Sequence, residues 1–235
     1  MIDAAIFDLN GTLIDDMRAH GRAWSTIVRE LGVDVPAERF ERELAGMKHS
    51  ETFEAVLGRK LPTAEVARLA ARKEALYREL YAPDLRLLPG ARELLERLRA
   101  EGVRTAIATA APPENRDFAL DGLGIRPLFD AVVGEEAAAR GKPAPDLYLA
   151  AARALGVAPE RSIAFEDAVN GVRAARAAGM RSAAVTTTTS ADRLREAGAE
   201  FVLPDFAHLP PELEVLLFAA GRVGRLTDPS KGYAT

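Results

Sequence analysis

The sequence predicts an α/β fold, a parallel sheet covered by helices on both faces and interrupted after its first strand by a helical insertion. Three observations carry that expectation. Short apolar runs alternate with helical patterns over most of the chain, the alternation fails once between Asp15 and Asp84, and 235 residues leave room for one core plus an inserted unit.

The first run, residues 4–9 (AAIFDL), is stopped by Asn10-Gly11, as suits a buried strand ending in a tight turn. Similar runs recur at residues 103–109, 129–134, 162–167, 181–186 and, more weakly, 201–203. Helical patterns lie between them at residues 90–100, 114–123, 146–155, 168–178 and 191–197. Strand followed by helix repeatedly implies right-handed crossovers and parallel pairing. Between Asp15 and Asp84 four helical segments are expected, at residues 17–31, 37–44, 50–57 and 64–81, punctuated by Gly32, Pro36, Gly46, Gly58 and Pro62. An insertion at that point sits over the carboxyl ends of the strands, where ligands of open α/β sheets bind. One more helix is expected at residues 212–220, followed by a polar tail.

Nearly half the residues are hydrophobic (48%) and 28% are charged with both signs mixed, the balance of a chain that buries a core. The net charge of −4 supplies no general attraction to polyanions, so neither nucleic acid nor an anionic membrane is the expected partner. There is no cysteine, which excludes disulfides, thiolate metal sites and a thiol nucleophile. The N-terminus shows no basic segment followed by a long apolar one, and no stretch approaches the roughly 18 apolar residues of a membrane span. A cytoplasmic protein is therefore expected, acting as a monomer or small homo-oligomer.

Four chemical elements fall at successive strand ends: Asp8 with Asn10-Gly11-Thr12, then Thr109, then Lys142 in GKPAPD, then Glu166-Asp167 closing SIAFED. Singly each has an ordinary reading, as a turn former, a helix cap or a solvated loop charge. Jointly they provide what phosphoryl transfer needs: a carboxylate nucleophile, hard oxygen ligands for magnesium, a fixed positive charge, and donors for the phosphate. Gly11 would let backbone N–H groups approach an anion.

In this order the segments FDLNGTLIDD (residues 7–16), AIATA (106–110), GKPAPD (141–146) and FEDAVNGVRAARAAGM (165–180) resemble the haloacid dehalogenase superfamily, and within it the β-phosphoglucomutase-like phosphatases. The likeness runs from residue 4 to about residue 206. It implies a Rossmann-like core built from residues 1–14 and 85–210, a helical cap domain over residues 15–84, and a C-terminal helix and tail at 211–235. It also implies that Asp8 is the nucleophile. Magnesium would be held by Asp8, Asp167 and the backbone carbonyl of Asn10, with Glu166 in the inner or outer shell, and the phosphate by Thr109 and Lys142, with Ala110 among the substrate-binding residues.

The departure is Asn10. Phosphatases and mutases of the superfamily usually carry a second aspartate two residues after the nucleophile, which protonates the leaving oxygen and then activates water. An amide cannot exchange that proton. Either another acid serves, or the leaving group needs little protonation, or the enzyme is slow. In the insertion, His20 and Trp24 lie one helical turn apart and match positions that flank substrate in the resembled proteins, although an apolar-face Trp beside a solvated His explains them equally well. His49 falls where sugar-phosphate mutases carry an arginine for a second phosphate, which counts against a mutase. Gly46 and Lys48 belong to the same candidate substrate-facing segment. Lys48 and Lys73 could contact a substrate, although each reads first as a solvated charge, and Asn115 is placed to reach the cleft. The expected activity is a magnesium-dependent phosphatase acting on a small phosphorylated metabolite such as a sugar phosphate. A phosphosugar mutase, a phosphonate-cleaving hydrolase and a weakly active phosphometabolite-binding protein are the alternatives.

Overall fold

A computed structural model describes residues 2–42, 44 and 47–218. Six parallel strands form one sheet: β1 (Ala4–Phe7), β2 (Arg104–Thr109), β3 (Ala131–Gly134), β4 (Ser162–Glu166), β5 (Arg181–Val185) and β6 (Phe201–Leu203), in the spatial order β3-β2-β1-β4-β5-β6. Every strand expected from the apolar runs is present. Some end earlier: β1 stops at Phe7, which leaves Asp8 one residue past the pairing.

The central strand shows why the sequence folds this way. All four residues of β1 are fully buried, since a strand between two neighbours with both faces covered has no solvent side. Successive side chains alternate between faces. Ala5 and Phe7 join the core that also holds Ile107, Phe165 and Leu95, and Phe7 stacks on Phe165 with ring centroids 4.6 Å apart. Ala4 and Ile6 join the other core, where the small side chains Ala106, Ala108 and Ala164 pack with Leu147, Tyr148 and Ala151 of the helix spanning Asp146–Leu155.

The insertion supplies four helices, α1 (Met17–Glu30), α2 (Ala37–Arg42), α3 (His49–Leu57) and α4 (Thr63–Tyr81). They share a separate apolar cluster built on Trp24, Ile27, Phe40, Phe53 and Leu69. Helix α2 is shorter than the 37–44 expected, and α3 begins one residue before the expected start, with Lys48 at its N-cap.

Lys73 corrects its first reading as a solvated charge. It is 3% exposed, with Nζ 2.9 Å from Glu74 Oε1 and 2.7 Å from His20 Nδ1. Burial lowers its pKa, with Glu74 opposing the shift. On the long α4 a buried ion pair was hidden among solvated charges.

The remaining helices are α5 (Ala91–Ala100), α6 (Pro113–Gly122), α7 (Asp146–Leu155), α8 (Val169–Ala177), α9 (Ala191–Ala197) and α10 (Pro211–Phe218). The residues after Phe218, including the end of the expected last helix, lie outside the described residues. No helix among the described residues is long and apolar enough to cross a membrane. The strand order turns around at β1, whose neighbours β2 and β4 are reached in opposite directions, so a crevice opens at the carboxyl ends of these three strands.

Candidate active site

Register assembles the site. Phe7 pairs with Ile107 on one side and Phe165 on the other, so the residues just beyond them share one edge of the sheet. Asp8 N donates to Phe165 O at 3.0 Å, which fixes the nucleophile candidate against β4. Asp8, Glu166 and Asp167 are all buried, and each offers an oxygen within 4.8 Å of the others.

Among the described residues one ammonium group is bonded to this cluster, through two of its three carboxylates. Lys142 Nζ lies 2.7 Å from Asp8 Oδ1 and 2.6 Å from Glu166 Oε1, with Ala108 O at 3.3 Å. Burial works against the ammonium, but Asp8 and Glu166 outweigh it and hold Lys142 above the usual lysine value. Burial also pushes Asp8 up to about 7, with Glu166 and Asp16 adding to the rise and Lys142 opposing it. Asp167 is raised as well, by burial first and then by Glu166 and Asp8. Three buried carboxylates against one cation leave an excess of negative charge on hard oxygen atoms, a donor set that fits a divalent cation such as magnesium.

The pH dependence of metal-linked stability follows. An unfolded aspartate titrates near 3.8 and folded Asp8 near 7. The raised value means that the proton on Asp8 stabilises the metal-free fold fully below about pH 4, and that this contribution is lost as pH rises through about 7. A divalent cation takes over the role of that proton. The upshift in melting temperature on adding magnesium is therefore expected to grow from about pH 6 to about pH 8, at roughly 2 to 4 °C per kcal/mol of binding. Scanning calorimetry with and without magnesium checks this, and a shift that shrinks with pH would contradict it.

The turn after β1 brings the next residues in. Gly11 has φ +75°, and a Cβ there would overlap the Asp167 carboxylate. Its amide donates to Ile14 O at 2.8 Å and to Asp16 Oδ1 at 3.2 Å. Asn10 Nδ2 donates to Asp16 Oδ2 at 2.5 Å, Tyr77 OH donates to the same oxygen at 2.6 Å, and His20 Nε2 lies 3.5 Å away. Burial alone would raise Asp16, but the hydrogen bonds from His20, Tyr77 and Asn10 outweigh it and keep the carboxyl below its usual range. Thr109 is buried at the end of β2, and its Oγ1 accepts from Ala111 N at 3.1 Å.

This edge therefore holds a buried carboxylate at a central strand end, a lysine on it, a metal-capable acidic pair and a glycine turn. A family model described as haloacid dehalogenase-like hydrolase matches residues 2–179. The chain belongs to the haloacid dehalogenase-like hydrolases. This hydrolase is similar to Protein CbbY of Cereibacter sphaeroides, with 34% identity over 89% of this chain and 94% of that protein. It is also similar to the β-phosphoglucomutase of Bacillus subtilis, 36% identical over 75% of this chain and 80% of that one. Among solved structures it resembles a mutant of CbbY from Rhodobacter sphaeroides, an Asp-to-Asn variant in complex with xylulose-(1,5)bisphosphate. The TM-score is 0.76 at 31% identity, over 89% of this chain and 96% of that one.

The candidate cap residues of the hydrolase fall into two groups. Trp24 is part of the insertion's own core, 5.1 Å from Phe53 between ring centroids, although Lys73 lies over its ring. His20 stacks on Tyr77 at 3.8 Å, so it is not the freely solvated histidine of the ordinary reading. His49 bonds Glu74 Oε1 through Nε2 at 2.9 Å, and Lys48 is exposed beside it. Gly46 lies outside the described residues. Asn115 is 1% exposed and committed to the insertion: Arg78 Nη1 donates to its Oδ1, and its Nδ2 donates to Glu74 Oε2, both at 2.7 Å. A cleft of about 640 Å³ lies between α4 and the loops after β2 and β3, with Ala110 on its wall.

Two contributors escaped the sequence reading: Tyr148 OH donates to Glu166 Oε1 at 2.6 Å, and Thr188 Oγ1 donates to Asp167 Oδ2. Thr12, read only as part of the turn, donates through Oγ1 to Asp167 Oδ1 at 3.0 Å. Gly171, inside α8, is where the Glu166 carboxylate lies, and any Cβ would overlap it. A glycine costs a helix about 1 kcal/mol relative to alanine, which is the signal that such a position has another reason. Gly171→Ala is expected to displace Glu166 and weaken magnesium binding by roughly 10- to 100-fold, the usual effect of disturbing a ligand's support. Titration calorimetry reads the affinity, and an unchanged value in a folded variant would refute the role.

Proposed function

We propose that this hydrolase is a magnesium-dependent phosphatase that cleaves the phosphate ester of a small metabolite, a sugar phosphate or similar polyol phosphate, through an aspartyl-phosphate on Asp8. The observation that carries the reading is the cluster in which Lys142 bridges Asp8 and Glu166 with Asp167 alongside. Magnesium would be held by Asp8, Asp167 and the backbone carbonyl of Asn10, with Glu166 assisting, and when bound would neutralise charge on the phosphoryl oxygens.

The chain's own groups account for the rest. A carboxylate oxygen of Asp8 attacks phosphorus, the phosphorus–ester oxygen bond breaks, and the leaving oxygen takes a proton. Water then attacks the acyl phosphate at phosphorus, releasing inorganic phosphate and restoring Asp8. Lys142 opposes the burial that favours protonated Asp8 and, with the Thr109 hydroxyl and the amide of Ala110, holds the phosphoryl group. Residues 15–84 act as a cap over a core of residues 1–14 and 85–210, excluding water while the ester is held. Of the cap candidates, His20 stands nearest the proton chemistry through Asp16, and His49, turned to Glu74, is poorly suited to grip a second phosphate as a mutase requires. The setting is cytoplasmic.

A second reading rests on Asn10. The relative crystallised with xylulose-(1,5)bisphosphate was an Asp-to-Asn variant. An amide in this chain's own loop favours a protein that captures a phosphorylated ligand and turns it over slowly. A screen of phosphorylated metabolites and a generic aryl phosphate, run with magnesium and with all divalent metal chelated, separates the two. Phosphate release only with magnesium is the expected result; binding without release of phosphate from any compound would favour the second reading.

A further inference from the structure

The cleft beside the phosphate end is chemically lopsided. One wall is the cap, where His49 and Arg78 stand with Glu74; the other is the core, where Glu114 opens α6 and Glu135 and Glu136 follow β3. Alanine and proline side chains line the space between them, leaving room for a ring-sized group.

Some of the charges are already matched. Glu74 is bonded by Lys73, His49 and Asn115, and Glu136 lies 2.8 Å from Arg116, whereas Arg78 gives its hydrogen bond to the neutral amide of Asn115. Glu114 and Glu135 are exposed on the core wall, and neither side chain has a hydrogen-bond or ion-pair partner among the described residues. Carboxylates only accept hydrogen bonds, so these two side chains offer acceptors and no donors. Among the described residues Arg78 is the only permanently charged cation lining the cleft, and these two unmatched carboxylates outnumber it.

We propose that this cleft receives the leaving group, and that Glu114 and Glu135 select esters whose far end carries a protonated amine or hydroxyl groups over those ending in a second phosphate. This rests on the phosphatase reading and deepens it, since it names the chemistry of the group to be released. It also separates this chain from any relative that accepts a bisphosphate. Hydroxyl and ammonium groups donate to the two carboxylates, whereas a second phosphate meets like charge at short range.

The test uses phenyl phosphates matched except for the para substituent: aminomethyl, hydroxymethyl and phosphonomethyl. Phenolate is a good leaving group, so the absence of an acid at Asn10 does not mask binding. For the full chain with magnesium, kcat/KM is expected to fall in that order, with on the order of tenfold or more between the first and last, expressed mainly in KM. The double variant Glu114→Gln, Glu135→Gln is expected to compress that span to about threefold, with the phosphonomethyl ester gaining relative to the hydroxymethyl ester. No turnover of any of the three by the full chain would overturn the phosphatase reading itself. Turnover with the phosphonomethyl ester equal or preferred, or a span unchanged in the double variant, would overturn this inference and leave that reading standing.

Discussion

Asp8→Ala is expected to lower phosphatase turnover on the order of 10,000-fold or more, because the variant lacks the carboxylate proposed to carry the phosphoryl group. Glu166 is occupied by Lys142 and Tyr148, and Asp167 by Thr12 and Thr188. Neither is free to replace the nucleophile. The same substitution should leave the metal-free fold intact, or stabilise it near neutral pH, since it removes one of three crowded carboxylates while Lys142 keeps Glu166 as partner. Loss of activity without loss of melting temperature therefore distinguishes a missing nucleophile from a broken fold. Rapid quench with labelled phosphoester should trap a phosphoryl-enzyme in the parent and none in the variant. Turnover by Asp8→Ala within tenfold of the parent would refute the covalent mechanism.

The readable part of this protein was the sheet and what sits at its ends. A parallel strand buried on both faces must be a short apolar run, and its side chains must stop being apolar where it meets the crevice, so Asp8, Thr109 and Glu166-Asp167 stood out as polar residues closing such runs. Chain order then placed them along one edge. The supporting contacts were less legible because they come from elements whose sequence reads as something else. Tyr148 lies in an apolar helix and looks like core. Thr188 sits in a run of four threonines after β5 that suggests only a polar loop, yet its hydroxyl reaches Asp167. In α4, Lys73 and Glu74 have the composition of a solvated helix, and only the approach of α1, α3 and α6 turns them into a buried network with His20, His49 and Asn115. A pairing between distant segments leaves no periodic trace in either of them.

Asn10→Asp is expected to raise turnover of alkyl phosphates by about 100-fold or more, the range associated with gaining a general acid and base. The geometry gives this a specific reason. The amide nitrogen of Asn10 stands 2.5 Å from Asp16 Oδ2, in a pocket that also holds Tyr77 and His20. An aspartate in its place would put two carboxyl groups within hydrogen-bonding distance of each other, and two such groups cannot both ionise at ordinary cost. One would keep a proton near neutral pH, in the loop that follows the nucleophile, ready for an alkoxide leaving group. Aryl phosphates, whose leaving groups need little protonation, should gain far less, so the ratio of alkyl to aryl kcat is the diagnostic measurement. If His20 already supplies the proton through Asp16, the variant gains little and His20→Ala loses comparable activity on alkyl esters while sparing aryl esters. His49→Ala should not reproduce that pattern, since its Nε2 is turned toward Glu74 on the far side of Lys73. An Asn10→Asp variant with unchanged alkyl turnover, alongside an unaffected His20→Ala, would mean that proton transfer to the leaving oxygen does not limit this chain, and that slow capture of a phosphorylated ligand describes it better.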